Sequence, residues 1–94
     1  MVVRNIGFME NDITEYDTFE ELTLTIESDS NIVVRCYRNR DGEIHRRHGP
    51  AVILYNGTQE WYLNGKRHRI GGPAIIFPDG TEDYWVNGEH YYRV

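Results

Sequence analysis

The sequence predicts an all-β chain: an antiparallel β-meander of 23-residue hairpin repeats, with an N-terminal β-hairpin packed on it. Turn dipeptides in phase, an internal duplication and an aromatic-rich composition carry this prediction. Asp41-Gly42, Asn56-Gly57, Asn64-Gly65, Asp79-Gly80 and Asn87-Gly88 follow one another at intervals of 15, 8, 15 and 8 residues, and fifteen plus eight gives a period of 23. Asn-Gly and Asp-Gly tolerate the positive φ of tight hairpin turns, whose twist matches that of the flanking strands. Residues 42–64 set over 65–87 give ten identities in 23 positions. Seven Tyr, three Phe and two Trp in 94 residues suit pleated, half-buried strands better than helical stripes.

Taken in order, Val2 to Phe8 reads as a strand. Glu21 to Glu27 alternates Leu22, Leu24 and Ile26 with Thr23 and Thr25, the period-two mark of a half-buried strand. Ser28 to Asn31 then turns the chain into a second strand, Ile32 to Arg38, while a short helix around Thr18 to Leu22 is the competing reading. Each repeat copy runs through a turn, a basic segment with His-Arg and a Gly-Pro-Ala break. An apolar strand (Ala51 to Tyr55; Ala74 to Phe77), a second turn and an aromatic strand (Thr58 to Leu63; Thr81 to Val86) complete it. Such a unit cannot bury its own faces, so neighbouring copies must pair or stack. A third copy begins at Gly88 with Tyr91-Tyr92 where His-Arg would stand, and reads as a cap.

Both sheet faces are apolar. Val52 and Leu54 oppose Ala51 and Ile53, and Trp61 and Leu63 oppose Tyr62; in the second copy Tyr84 and Val86 oppose Trp85. A bare apolar face favours a second layer, so the N-terminal hairpin is expected over one face and a homodimer or partner surface over part of the other.

The length fits one domain, 1–94, with a thin core, divided into an acidic segment 1–35 and a repeat sheet 36–94. The net charge of −5 is unevenly spread: residues 1–31 carry eight acids against Arg4, a balance of −7, which leaves +2 on the rest. Cys36 is the only cysteine, so neither an intrachain disulfide nor a Cys-rich zinc site is expected, and a reducing, cytoplasmic setting follows. No apolar run reaches the roughly 18 residues that span a bilayer, and Met1-Val2-Val3-Arg4 is too short to open a signal peptide, so membrane insertion is not expected.

The run Trp61-Tyr62-Leu63-Asn64-Gly65-Lys66-Arg67-His68-Arg69 followed by Gly72-Pro73-Ala74, with the earlier His45-Arg46 and Gly49-Pro50-Ala51, resembles MORN-like repeats of a variant kind over about residues 36–92. The resemblance implies a β-meander and a binding role rather than a reaction. Repeats of this style occur in antitoxin-like bacterial proteins and in phage and large-virus proteins. It therefore implies either an antitoxin-like partner protein or a small phage inhibitor of a host defence or regulatory protein, acting in the host cytoplasm.

Two candidate surfaces emerge. Trp61, Tyr62, Tyr84, Trp85, Tyr91 and Tyr92 form an aromatic face suited to a protein partner, because large rigid rings dominate interface energetics. His45, Arg46, Arg47, Arg67, His68 and Arg69 form a basic edge that suits an anion, a nucleotide or a lipid headgroup, since Arg pairs with oxyanions in two-pronged geometry. The competing reading, the favoured one, has the repeated His and Arg packing on the aromatic rings to maintain the repeat. His45, His48, His68, His90 and Cys36 match no zinc spacing, so no metal and no cofactor is expected. No nucleophile elbow, phosphate loop or zincin motif appears, so the chain is not expected to be an enzyme. Glu60, Glu82 and Asp83 read as solvent-side or edge residues that discourage sheet aggregation rather than as an acid pair. The acidic first third could imitate nucleic-acid phosphates toward a host protein, but a solvated acidic face is the favoured reading, and nucleic acid itself is not expected as a ligand.

Overall fold

The computed structural model describes the backbone of residues 2–6, 10–17, 20–29 and 32–94, and the side chains of 21–26 and 35–94. These residues form strands and turns with no helix. The N-terminal strands are β1 (Val2–Ile6), β2 (Glu10–Asp17), β3 (Glu20–Asp29) and β4 (Ile32–Arg38). Short strands follow: β5 (Val52–Ile53), β6 (Gln59–Glu60), β7 (Tyr62–Leu63), β8 (Lys66–Arg67) and β9 (Ile75–Ile76). The last are β10 (Glu82–Val86) and β11 (Glu89–Arg93). Nine of them make one antiparallel sheet in the order β1-β2-β3-β4-β5-β6-β9-β10-β11, and β7-β8 is a separate two-stranded ladder.

The all-β antiparallel meander is therefore the fold. The β3–β4 hairpin is present, and strand geometry over Glu20–Leu22 replaces the helical alternative there. Two features differ from the sequence reading. β2 is an unforeseen strand, because its polar and acidic residues mask the alternation that normally reveals one. The N-terminal strands also join the repeats edge to edge: β4 pairs with β5 through Arg35↔Ile53 and Cys36↔Val52, rather than lying over a face. β4 crosses the 35/36 boundary drawn from composition. The Ser30-Asn31 turn, and Thr18 and Phe19, lie outside the described residues.

The repeat hydrogen bonds recur at an interval of 23. The Ala51 N–H donates to Glu60 O and the Ala74 N–H to Asp83 O; Leu54 N–H donates to Thr58 O and Phe77 N–H to Thr81 O. The strands are shorter than the apolar runs suggest, and the aromatic strand of the first copy breaks at Trp61 between β6 and β7, where the chain leaves the main sheet for the small ladder. β10 spans the equivalent stretch without a break because β11 pairs along its length, from Val86↔Glu89 to Asp83↔Arg93.

Two rows of side chains cross the sheet. Tyr37 N–H donates to Ala51 O and Trp61 N–H to Ala74 O, so fully buried Ala51 and Ala74 sit between successive rings Tyr37, Trp61 and Tyr84. Small residues at those sites leave room for the rings beside them. Tyr37 also closes a cluster with Leu22 and Leu24, against which Ile26 packs. The other row runs Cys36, Val52, Glu60, Ile75, Asp83, Arg93 across successive strands, on the opposite face by alternation.

Candidate functional site: two adjoining grooves

Successive copies build the same stacked unit. The Arg46 guanidinium lies 4.0 Å from the centre of the Tyr37 ring and donates from Nη1 to Pro50 O at 3.3 Å. Arg69 does the same over Trp61, at 4.0 Å, with Nη1 donating to Pro73 O at 3.1 Å. A Cβ on Gly72 would come within 2.9 Å of the Arg69 guanidinium, and one on Gly49 within 3.1 Å of that of Arg46. The glycine of each Gly-Pro-Ala break thus keeps space for an arginine sandwiched between backbone and ring. In the third unit Tyr92 takes the arginine's place and stacks on Tyr84, centroids 4.4 Å apart and planes 11° from parallel.

Between these units lie two open grooves. The first, about 430 Å³, has Arg46, Arg47, His48, His68 and Arg69 around an apolar part made of Trp61, Leu63 and Ile70. The second, about 340 Å³, is lined by Tyr84, Val86, Tyr91 and Tyr92, with Arg69, Ile70 and the Gly71-Gly72 backbone. Adding 23 to the first set reproduces the second except at Ile70, whose counterpart Arg93 lies outside it: Trp61 becomes Tyr84, Leu63 becomes Val86, His68-Arg69 becomes Tyr91-Tyr92 and Arg47-His48 becomes Ile70-Gly71. The same groove is therefore basic in one copy and aromatic in the next, and the two meet at Arg69 and Ile70. Tyr91 and Tyr92 both face the second groove because of a bulge: Tyr84 pairs with Tyr92 but Trp85 with His90, which leaves Tyr91 as the extra residue.

The structure divides both predicted surfaces. Trp61, Tyr84, Tyr91 and Tyr92 stand on the groove side, whereas Tyr62 and Trp85, alternating with groove residues, belong to the other face. Of the basic set, Arg46, Arg47, His68 and Arg69 line the first groove, while Arg67 packs on the far side, 5.3 Å from the Tyr62 ring centre and 4.8 Å from that of Trp85. There Arg67 Nη2 donates to Glu60 Oε1 at 2.9 Å and to Tyr62 Oη at 2.8 Å, and the Tyr62 hydroxyl donates to Glu60 Oε1 at 3.1 Å. Burial, and then the neighbouring Glu60 charge, push the Tyr62 hydroxyl pKa up.

His45 is fully buried, and its Nδ1 accepts the Asn64 N–H at 2.9 Å. His68 Nδ1 accepts the Asn87 N–H at 3.0 Å in the same way. Through its accepting Nδ1 each histidine clamps the Asn-Gly turn of the following copy. This role was missed from the sequence, although the constant offset of 19 residues between His and Asn was there to find.

Asp83 also differs from its reading as a solvent-side or edge residue, since β10 lies between β9 and β11. Asp83 is 4 % exposed and accepts from Arg93 Nε at 2.6 Å and Nη2 at 2.9 Å, with His90 Nε2 3.5 Å away. The Arg93 hydrogen bonds, aided by the charges of Arg93 and His90 and opposed by burial, hold the Asp83 carboxyl below its ordinary pKa. Among the described residues no group of three His, Cys, Asp or Glu side chains is placed to hold a metal ion, and no helix is long and apolar enough to cross a membrane.

Compared with protein-family models, with curated proteins and with solved structures, the chain matches none.

Proposed function

We propose that the chain is a non-enzymatic protein-binding module that engages its partner through the paired grooves. The observation that carries this reading is the apolar surface where they meet: Ile70 is 73 % exposed, Tyr91 61 % and Tyr92 54 %, beside a basic groove. Exposed rings and a branched aliphatic side chain lose apolar contact with water when a partner covers them, and rings give up little conformational freedom in doing so. The MORN-like resemblance supports a bacterial setting, with the chain acting as an antitoxin-like partner or as a phage protein on a host protein.

The test is a pulldown with the full-length tagged chain as bait in bacterial lysate, washed at about 1 M salt so that screened charge contacts drop out. Wild type and Tyr55→Ala, whose ring is exposed outside both grooves, are expected to retain one stoichiometric protein that the Tyr91→Ala/Tyr92→Ala double variant loses. An empty bait, or a partner indifferent to Tyr91 and Tyr92, overturns the proposal. The basic side chains of the first groove favour a second reading, capture of an anion such as a nucleotide or lipid headgroup. Binding that falls steeply with salt and ignores both tyrosines selects it.

A further inference from the structure

The two grooves differ in chemistry but share a wall, and that wall holds a fixed cation. Arg69 lines both grooves. Its guanidinium is held by the Trp61 ring and, among the described residues, spends a single hydrogen bond, from Nη1 to Pro73 O. Guanidinium carries five N–H donors in a planar fork, so most of the fork is left for a ligand. Stacking and the carbonyl bond settle its orientation before anything binds, which lowers the ordering cost of recognition. On one side lies the basic groove with His68; on the other lie Ile70, Tyr91 and Tyr92.

We infer that the paired grooves recognise an extended protein segment in which a carboxylate is followed closely by an apolar or aromatic side chain, the carboxylate pairing with Arg69 at the shared wall and the apolar side chain lying on Tyr91, Tyr92 and Ile70. This rests on the reading of the groove face as a protein-binding surface and narrows it to one class of partner. Such a segment is complementary in charge to one side of Arg69 and in apolar surface to the other. A carboxylate matches the planar fork in two-pronged geometry. A segment with acids alone leaves the second groove wet, and one with apolar residues alone leaves the first unmatched.

The experiment is selection of a random dodecapeptide library on the immobilised full-length chain, followed by affinity measurement of the enriched peptides on variants. Enriched sequences are expected to place Asp or Glu next to Phe, Tyr, Trp or Leu. Arg69→Gln is expected to weaken them about tenfold or more, as loss of a central charged contact does. Arg69 also packs on Trp61, so two further variants at exposed Ile70 keep the test independent of folding. Both Ile70→Glu and Ile70→Lys remove the same apolar contact, but Ile70→Glu also sets a negative charge beside the carboxylate, so it is expected to weaken binding clearly more than Ile70→Lys does. Peptides without acids, or acidic peptides indifferent to Arg69→Gln and Ile70→Glu, overturn this inference and leave the protein-binding reading standing. A library that yields nothing while the lysate pulldown succeeds also overturns it, and points to a folded partner surface. An empty pulldown removes the underlying reading instead.

Discussion

At the scale of single residues, the repeated His-Arg pair is a structural device whose two members do different work. His45 presents Nδ1 to the Asn64 N–H from a fully buried position, so its loss removes both an acceptor and packed volume. His45→Ala is expected to lower stability by about 1–3 kcal/mol in urea unfolding, with less effect from His68→Ala, whose ring is less buried. The arginine is held by its ring and by the empty Cβ position of Gly72. Gly72→Ala is expected to push the Arg69 guanidinium off Trp61, because the clash is with the far end of a flexible side chain that can move. Changed Trp fluorescence with stability lowered by no more than about 1 kcal/mol would show this; an unchanged spectrum would refute it. The pairing of His with Arg was legible in the sequence, and so was arginine stacking on Trp61, Tyr62 and Trp85, but the histidines bind turns rather than rings and Arg46 takes Tyr37. Which side each residue takes was not legible, since Arg67 and Arg69 lie two apart yet leave the sheet for different faces once the chain breaks at Trp61.

At the scale of elements, the hairpins depend on turns that only certain residues enter. Asn64 and Gly65 have φ of 50° and 82°, so the turn between β7 and β8 needs left-handed backbone at both central positions. Gly65→Ala is expected to cost about 1 kcal/mol through backbone strain alone, because the space around its Cβ position is adequate. A shift in urea midpoint at constant slope would report it. On the β10–β11 hairpin, Asp83 and Arg93 are direct cross-strand partners as well as an ion pair. A carboxyl whose folded pKa is depressed contributes stability that is fully present above its unfolded value, about 3.9, and is lost as pH falls through the folded value. Asp83→Asn is thus expected to lower Tm at neutral pH, with the difference closing below about pH 4; a constant difference at every pH would mean that the charge is not responsible. The turns were legible because Asn-Gly and Asp-Gly have few other uses, whereas β2 was hidden by its polar residues.

At the scale of the whole molecule, one ladder of hydrogen bonds joins acidic strands to repeats. Tyr37 is the residue at the join: it packs with Leu22 and Leu24, pairs with Ala51 through the backbone, and carries Arg46 on its ring. Tyr37→Ala is expected to cost about 3–5 kcal/mol and to loosen both parts together, so thermal unfolding followed by CD and by Trp fluorescence should stay coincident. Separate transitions would show that β4 and β5 do not couple the two. The fold class, the order of repeat elements and the turn positions were determined by the sequence itself, because backbone preferences at Asn-Gly turns and period-two alternation are local. Tertiary structure alone decided that the N-terminal strands extend the sheet instead of covering it, that His45 is buried while Tyr91 is exposed, and that a basic groove adjoins an aromatic one. Those outcomes depend on which strand lies beside which, and on a single bulge that turns Tyr91 toward the second groove; such contacts join residues far apart in the chain.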